Sequence, residues 1–390
     1  MAFPSCRAEL RGGDQTPQHS IKNCRDQKTP LASRFEKKTG EETVRTRRLF
    51  SGLLLLAAAS GIGPSATPVE AATSTISTRK AQSFVLTTGN IYFTENSGTT
   101  ASLWRTGQTS SPGHETLVYS ELNARFGKMI IASADNVSYA YFFVTRLSPL
   151  PQVTSIKRVK LTDGQASTIR TMVSPVTSTM PNLTTDGTFV YWQDRNAVRK
   201  APICPDQENV PTTDSHRIAP GVPICGRTDV VIEATGANPR TAGLALREAN
   251  LIYADGTDIR YLPTAASFVP VPALRTIARA NGRVTALHVV ANGVYWGEAG
   301  GAVRLKVGAT TATLPSTPGL MPVSIATSGF TAGADQVWTQ CPLTSDPCRM
   351  QFDLTGGRWS TPVGADARVG IRTNGTIFWS DSFGIHRQTF

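Results

Sequence analysis

The sequence predicts an all-β fold, a ring of seven four-stranded antiparallel sheets. Three observations predict it. An aromatic strand recurs seven times at a nearly constant step. Each recurrence sits in the same order of alternating runs and turn signals. The two ends of the β-rich region carry complementary fragments of one unit. Composition agrees: charged residues make up 17% of the 390, with 33 Gly and 25 Pro. Low charge and many turn formers describe a folded β-rich chain rather than a disordered one.

The recurring aromatics are Tyr92 ("GNIYFTE"), Tyr141 ("SYAYFFV"), Tyr191 ("TFVYWQD"), Tyr253 ("NLIYADG"), Tyr295 ("NGVYWGE"), Trp338 ("DQVWTQC") and Phe378 ("GTIFWSD"). Their steps are 49, 50, 62, 42, 43 and 40 residues. Such periods belong to repeat architectures.

Each unit begins with an apolar-alternating run: "FVLTTG", "MIIASADN", "NLTTDG", "LALREAN", "LHVVANG", "VSIATSG" and "VGIRTNG". Several end in Asp-Gly or Asn-Gly, the residues that supply the positive φ values of tight hairpin turns. The aromatic strand comes second. A third strand follows a variable turn and carries a recurring pair: Trp104-Arg105, Lys157-Arg158, Val198-Arg199, Ile259-Arg260, Val303-Arg304 and Cys348-Arg349, with Ile385-His386 last. A fourth short strand closes most units, as in "ETLVYSE", "ASTIRTMV" and "RWSTPVG". Period-2 patterning recurs and no helical period is sustained. Four antiparallel strands repeated seven times define a seven-bladed β-propeller. The weakest unit is the second, which has no acid after its aromatics, and a six-bladed ring is the alternative.

The last unit stops at "GIHRQTF" after its third strand, while "ATSTISTRK" precedes the first unit unused. Thr73–Arg79 is therefore expected to pair with the last third strand and close the ring, removing two exposed sheet edges.

The segments "YWQD" (Tyr191–Asp194), "YWGE" (Tyr295–Glu298), "FWSD" (Phe378–Asp381) and "YFTE" (Tyr92–Glu95) resemble the YWTD repeats of low-density-lipoprotein-receptor propellers, and also bacterial TolB-type propellers. The resemblance spans nearly all of 82–390. It implies the architecture, and that the acid after the aromatics belongs to the blade framework. It implies no particular function. Those families usually have six blades.

Residues 1–71 read differently. "VRTRRLFSGLLLLAAASGIGPSATPVEA" has a basic start, a short apolar centre and a small-residue end, the layout of a secretory signal spanning 44–71. Residues 1–43 form an unstructured leader, and translation is expected to begin near Val44. "TRRLFSG" also resembles a twin-arginine signal, so two export routes stay open. No apolar run approaches the roughly 18–20 residues of a spanning helix. The expected location is secreted or periplasmic, with an uncleaved 49–63 membrane anchor as the alternative. Cleavage removes 11 bases and 7 acids and lowers the net charge from +11 to +7.

Four of the six cysteines lie beyond the signal: Cys204, Cys225, Cys341 and Cys348. An even count in an exported chain suggests disulfides. Cys341–Cys348 would pinch the local turn "CPLTSDPC", and Cys204–Cys225 would tie off the insert that lengthens the third step. Neither spacing resembles a zinc site, and no metal or cofactor is expected.

Acids follow the aromatics at Glu95, Asp194, Asp255, Glu298 and Asp381. They are expected to bond turn amides or the third-strand Arg. The Arg series, read as one equivalent position, is expected to be structural as well. Charges that break the repeat are more informative. Arg247 and Glu248 fall on the fourth inner strand, His288 on the fifth and Arg372 on the seventh. Converging polar groups at a channel mouth form the candidate binding site. No linear catalytic motif is present, so no catalytic residue is assigned. The expected function is an exported binding or interaction module, as a monomer, for a protein or a polar or anionic envelope ligand. Scattered Lys and Arg give nucleic-acid binding no support, and membrane contact is limited to the signal. The alternatives are a lyase or hydrolase acting on a glycan through His288 and Glu248, and a structural subunit of an envelope complex.

Overall fold

The computed structural model describes residues 73–390, apart from 135, 149–152, 173–181, 195–196, 204–228, 234–242, 265–274, 330, 345, 355–356, 373–374 and 390. The segments expected to be a leader (1–43) and a secretory signal (44–71), Cys204, Cys225 and the Asp194 side chain lie outside what is described.

Seven four-stranded antiparallel sheets are present. After β1 (Thr73–Ser77), blade one comprises β2 (Ser83–Leu86), β3 (Asn90–Ser97), β4 (Thr100–Gly107) and β5 (Thr116–Leu122). Blade two comprises β6 (Ala124–Ala134), β7 (Val137–Arg146), β8 (Val153–Lys160) and β9 (Ala166–Met172). Blade three comprises β10 (Leu183–Thr185), β11 (Phe189–Asp194), β12 (Ala197–Pro202) and β13 (Asp229–Glu233). Blade four comprises β14 (Leu244–Arg247), β15 (Asn250–Asp255), β16 (Asp258–Pro263) and β17 (Arg275–Arg279). Blade five comprises β18 (Val284–Val290), β19 (Gly293–Glu298), β20 (Val303–Val307) and β21 (Thr310–Leu314). Blade six comprises β22 (Met321–Thr327), β23 (Gln336–Cys341), β24 (Cys348–Leu354) and β25 (Gly357–Val363). Blade seven comprises β26 (Arg368–Ile371), β27 (Ile377–Asp381) and β28 (Gly384–Gln388), completed by β1.

The first strand of each blade contacts that of the next, and β26 returns to β2, so the ring is closed. The second unit, weakest in sequence, forms a complete blade, and the count is seven rather than six. Closure follows the chain ends as expected. Thr73 pairs with Gln388, Ser74 with Arg387, Thr75 with His386 and Ser77 with Ile385. Gly384 makes this possible. Its φ is +140°, and a Cβ there would collide with the Ser77 carbonyl.

The recurring aromatics have the purpose their spacing implies. All seven are buried. The apolar residues form seven clusters, each joining one blade to its neighbour. Blades four and five meet through Ile252, Ile259, Val294 and Trp296. The closing junction sets Ile76 of β1 among Ile91, Phe93, Phe378 and Ile385. Each large side chain so buried contributes about 1.5–3 kcal/mol.

Candidate functional site

The described acids after the aromatics, Glu95, Asp255, Glu298 and Asp381, do framework work. Glu298 Oε1 accepts from Arg304 Nε at 2.7 Å, Trp296 Nε1 at 3.1 Å and the Asn281 amide at 3.2 Å. Asp255 Oδ2 lies 2.6 Å from Arg260 Nη1. Asp381 takes hydrogen bonds from the amides of Gly364 and Phe383 and from Trp379 Nε1, and meets His386 Nε2 at 3.1 Å. Burial works to raise the Asp381 carboxyl, but these bonds, His386 foremost, overcome it and leave it below the ordinary value. In blade one the partner comes from outside the repeat. Arg79, just past the closing strand, donates to Glu95 at 2.9 Å and stacks 3.8 Å above the Trp104 ring.

The third-strand bases do not share one position, which corrects the sequence reading. Arg105, Arg158 and Arg260 stand opposite the first aromatics Tyr92, Tyr141 and Tyr253. Arg199, Arg304 and His386 stand one residue on, opposite Trp192, Trp296 and Trp379. Arg349 stands opposite Gln340. The number of residues between the first aromatic and its third-strand base differs from blade to blade, which shifts the base along the ladder. A one-residue shift sends a side chain to the other face of its blade, so no single basic belt forms.

The repeat-breaking charges separate into three environments. Arg247 ends β14, but Glu248 lies beyond it, in the turn to β15, with φ +54°. That left-handed turn lifts Glu248 off the inner strand on which it was expected. Both residues line a cavity of about 340 Å³ between blades four and five, on the face of the strand-one-to-two turns. Ile277 and Val294 form its apolar part, while Lys306 and Asn292 add polar groups.

His288 lies in the middle of β18, opposite Tyr295. Its Nε2 is 3.0 Å from Thr327 Oγ1, which itself donates to the Gly329 carbonyl at 2.9 Å. The imidazole proton therefore sits on Nε2. Burial, aided by the Lys128 charge, lowers its pKa to about 4, so the ring is neutral near pH 7.

Arg372 follows β26 rather than lying within it. Its Nη1 donates to Gln108 Oε1 of blade one. Gln108 Nε2 in turn donates to the Thr87 carbonyl at 2.7 Å, and the Gln108 carbonyl accepts from Arg387 at 3.2 Å. Arg372 thus braces the closing junction. Of the four predicted residues, only Arg247 and Glu248 share a site.

Cys341 and Cys348 are joined, with Cα atoms 4.2 Å apart, across the turn between β23 and β24. Among the described residues no group of three or more His, Cys, Asp or Glu could hold a metal, and no helix is long and apolar enough to cross a membrane.

Two residues escaped the sequence reading, Lys128 of β6 and Arg368 of β26. Both immediately precede the apolar runs "MIIASADN" and "VGIRTNG", outside the bounds that hydrophobicity alone gives those strands. Aligning the inner strands on the residue opposite each first aromatic would have found them.

No protein-family model matches the chain, and no curated protein matches it. Solved structures do. The WD40 β-propeller domain of Doa1 superposes with a TM-score of 0.51 at 14% identity, covering 82% of this chain and 97% of that one. A chain of the mitotic checkpoint complex gives 0.51 at 11% identity, covering 82% and 94%. Raptor of Chaetomium thermophilum gives 0.50 at 10% identity, covering 80% of this chain and 27% of that one. The likeness is one of fold: this chain is a seven-bladed β-propeller similar to WD40 propellers.

Proposed function

We propose that the protein is an exported binding module that takes a polar ligand in the groove between blades four and five. One observation carries this reading. The groove, of about 340 Å³, sets Arg247, Glu248 and Lys306 around an apolar wall of Ile277 and Val294. That size and mix of surfaces suit a small ligand. Arg247 and Glu248 also break the blade repeat, so the framework does not require them.

Export is supported by the signal-like 44–71 segment and by the Cys341–Cys348 disulfide, a bond that persists in oxidising compartments. The YWTD-like and TolB-type resemblance of the aromatic strands supports an extracytoplasmic propeller, of seven blades rather than six. Propellers commonly serve as binding modules, and one similar chain belongs to the mitotic checkpoint complex. The lyase or hydrolase reading needs His288 and Glu248 to act together, and His288 Nε2 is engaged by Thr327.

Thermal melting of residues 72–390 against neutral sugars, nucleotides and polyanions tests the proposal. A ligand at about 100 times its Kd adds roughly 2.7 kcal/mol. The expected result is a saturable rise that Arg247→Ala and Lys306→Ala each reduce. A rise that both variants keep in full would place the site elsewhere. No rise across the panel would favour a structural subunit that binds protein.

A further inference from the structure

The seven inner strands carry Arg125, Lys128, Arg247, His288 and Arg368, and not one Asp or Glu. Two of these bases stand at one level of the ring. Arg368 pairs with Ser380, two residues beyond Phe378. Lys128 stands two residues before Ile130, the partner of Tyr141, and lies in the bulge between Phe126 and Met129. A bulge of this kind re-aims a side chain. Blade one lies between these two blades and contributes Ser83, which pairs with Thr94, two residues beyond Tyr92. Blade three contributes Asn182, whose backbone carbonyl accepts from the Gln193 amide, two residues beyond Tyr191. Blades seven, one, two and three thus supply Arg368, Ser83, Lys128 and Asn182 in succession. Across the ring the same level holds Ala286 and Pro322, opposite Gly297 and Gln340. Among the described positions at this level, the polar and basic ones fall on one arc, blades seven, one, two and three, while Ala286 and Pro322 of the facing blades are buried.

We propose that this arc binds an anionic group, phosphate or carboxylate, between Lys128 and Arg368. The level lies near the starts of the inner strands, at the opposite end of the channel from the Arg247 groove, so the site is separate from that groove.

Among the described residues neither base has a carboxylate partner. Lys128 Nζ donates to Asn182 Oδ1 at 3.2 Å, and Arg368 Nη1 donates to the carbonyls of Asp366 and Ala367. Lys128 meets the water of the channel but is ringed by protein, and burial together with the Arg368 charge lowers its amine to about 8. Burial likewise lowers Arg368, against the pull of Asp366. Two positive charges held near one another in a confined channel repel, and a bound anion relieves both. A point-like ammonium and a planar guanidinium fork together suit a multi-oxygen anion.

Melting of residues 72–390 with tripolyphosphate or citrate, at ionic strength held constant with chloride, tests the site. Wild type should show a saturable rise with at least one probe, and which probe acts tells phosphate from carboxylate. Lys128→Gln and Arg368→Gln should each weaken apparent affinity about tenfold or more, as loss of a charged hydrogen bond implies. Without probe they should melt no lower than wild type, because each removes an unpaired charge. Lys128→Arg keeps the charge and should keep binding, as should Arg247→Gln in the groove. No saturable rise with either probe, or a rise the Gln variants share in full, would overturn the site and leave only ionic screening.

Discussion

Arg304 Nε donates to Glu298 Oε1 at 2.7 Å, and in the last blade His386 takes the arginine's place, 3.1 Å from Asp381. In both blades an indole N–H, from Trp296 or Trp379, shares the carboxylate. In blades five and seven the acid that follows the aromatics is thus a joint between second and third strands. Glu298 is buried, so its removal leaves the Arg304 charge without its carboxylate, with only the Thr313 hydroxyl still bonded. Glu298→Ala should cost about 3 kcal/mol and lower Tm by roughly 6 °C or more. Calorimetry of the purified variant checks this, and a melt within 1 °C (about the scatter of a surface substitution) would show the joint to be ornamental.

Acid stability should depend on His288. Its pKa falls from the ordinary 6.5 to about 4 in the folded ring because burial, with the Lys128 charge, disfavours the imidazolium. The neutral form is therefore the one folding favours. Its contribution is whole above pH 6.5 and is lost as pH falls through 4. The loss is on the order of 3 kcal/mol at most. In denaturant titrations, His288→Gln should flatten the decline in stability across that window. An unchanged pH profile would mean that other groups govern it.

Ring closure should be a large term. Deleting 72–80 removes the β1 ladder, the buried Ile76 and the Arg79 contacts to Glu95 and Trp104. A sharp fall in Tm is expected. Ile76→Ala alone should cost about 2–4 kcal/mol. Gly384→Ala should also weaken closure, because the Ser77 carbonyl occupies the space its methyl needs. If the deletion melts like the full domain, the strand is an appendage.

The Cys341–Cys348 bond closes a loop of sequence separation 7. Constraining so short a loop stabilises by about 2.5 kcal/mol in the chain-entropy picture. Reduction, or Cys341→Ser with Cys348→Ser, should lower Tm modestly while leaving the β-sheet circular dichroism intact. Collapse of that spectrum on reduction would show that the bond holds far more than one turn.

The fold was legible because its signals are local and repeated. Tyr295 and Trp296 recur with the same turn residues ahead of them, and the unused "ATSTISTRK" segment matched the strand missing from the last blade. The site was less legible. Whether Arg260 and Arg304 share a position depends on hairpin register, which turn length sets and composition does not show. Glu248 left the inner strand because one residue took a positive φ. Arg372 appeared available until the ring brought Gln108 of blade one beside it. Lys128 and Arg368 lie far apart in sequence and share a level only after the ring closes.

The central claim is that Arg247, Lys128 and Arg368, bases outside the blade repeat, serve ligands, while the third-strand bases that keep the repeat serve the fold. One matched set of melts tests it most directly, with and without the best ligand of the panel and tripolyphosphate. Arg247→Gln, Lys128→Gln and Arg368→Gln should melt like wild type alone and lose the ligand-induced rise at their own site. Arg260→Gln and Arg304→Gln should melt well below wild type and keep both rises. The reverse pattern, with repeat-breaking variants unstable and repeat-keeping variants unresponsive to ligand, would contradict the account.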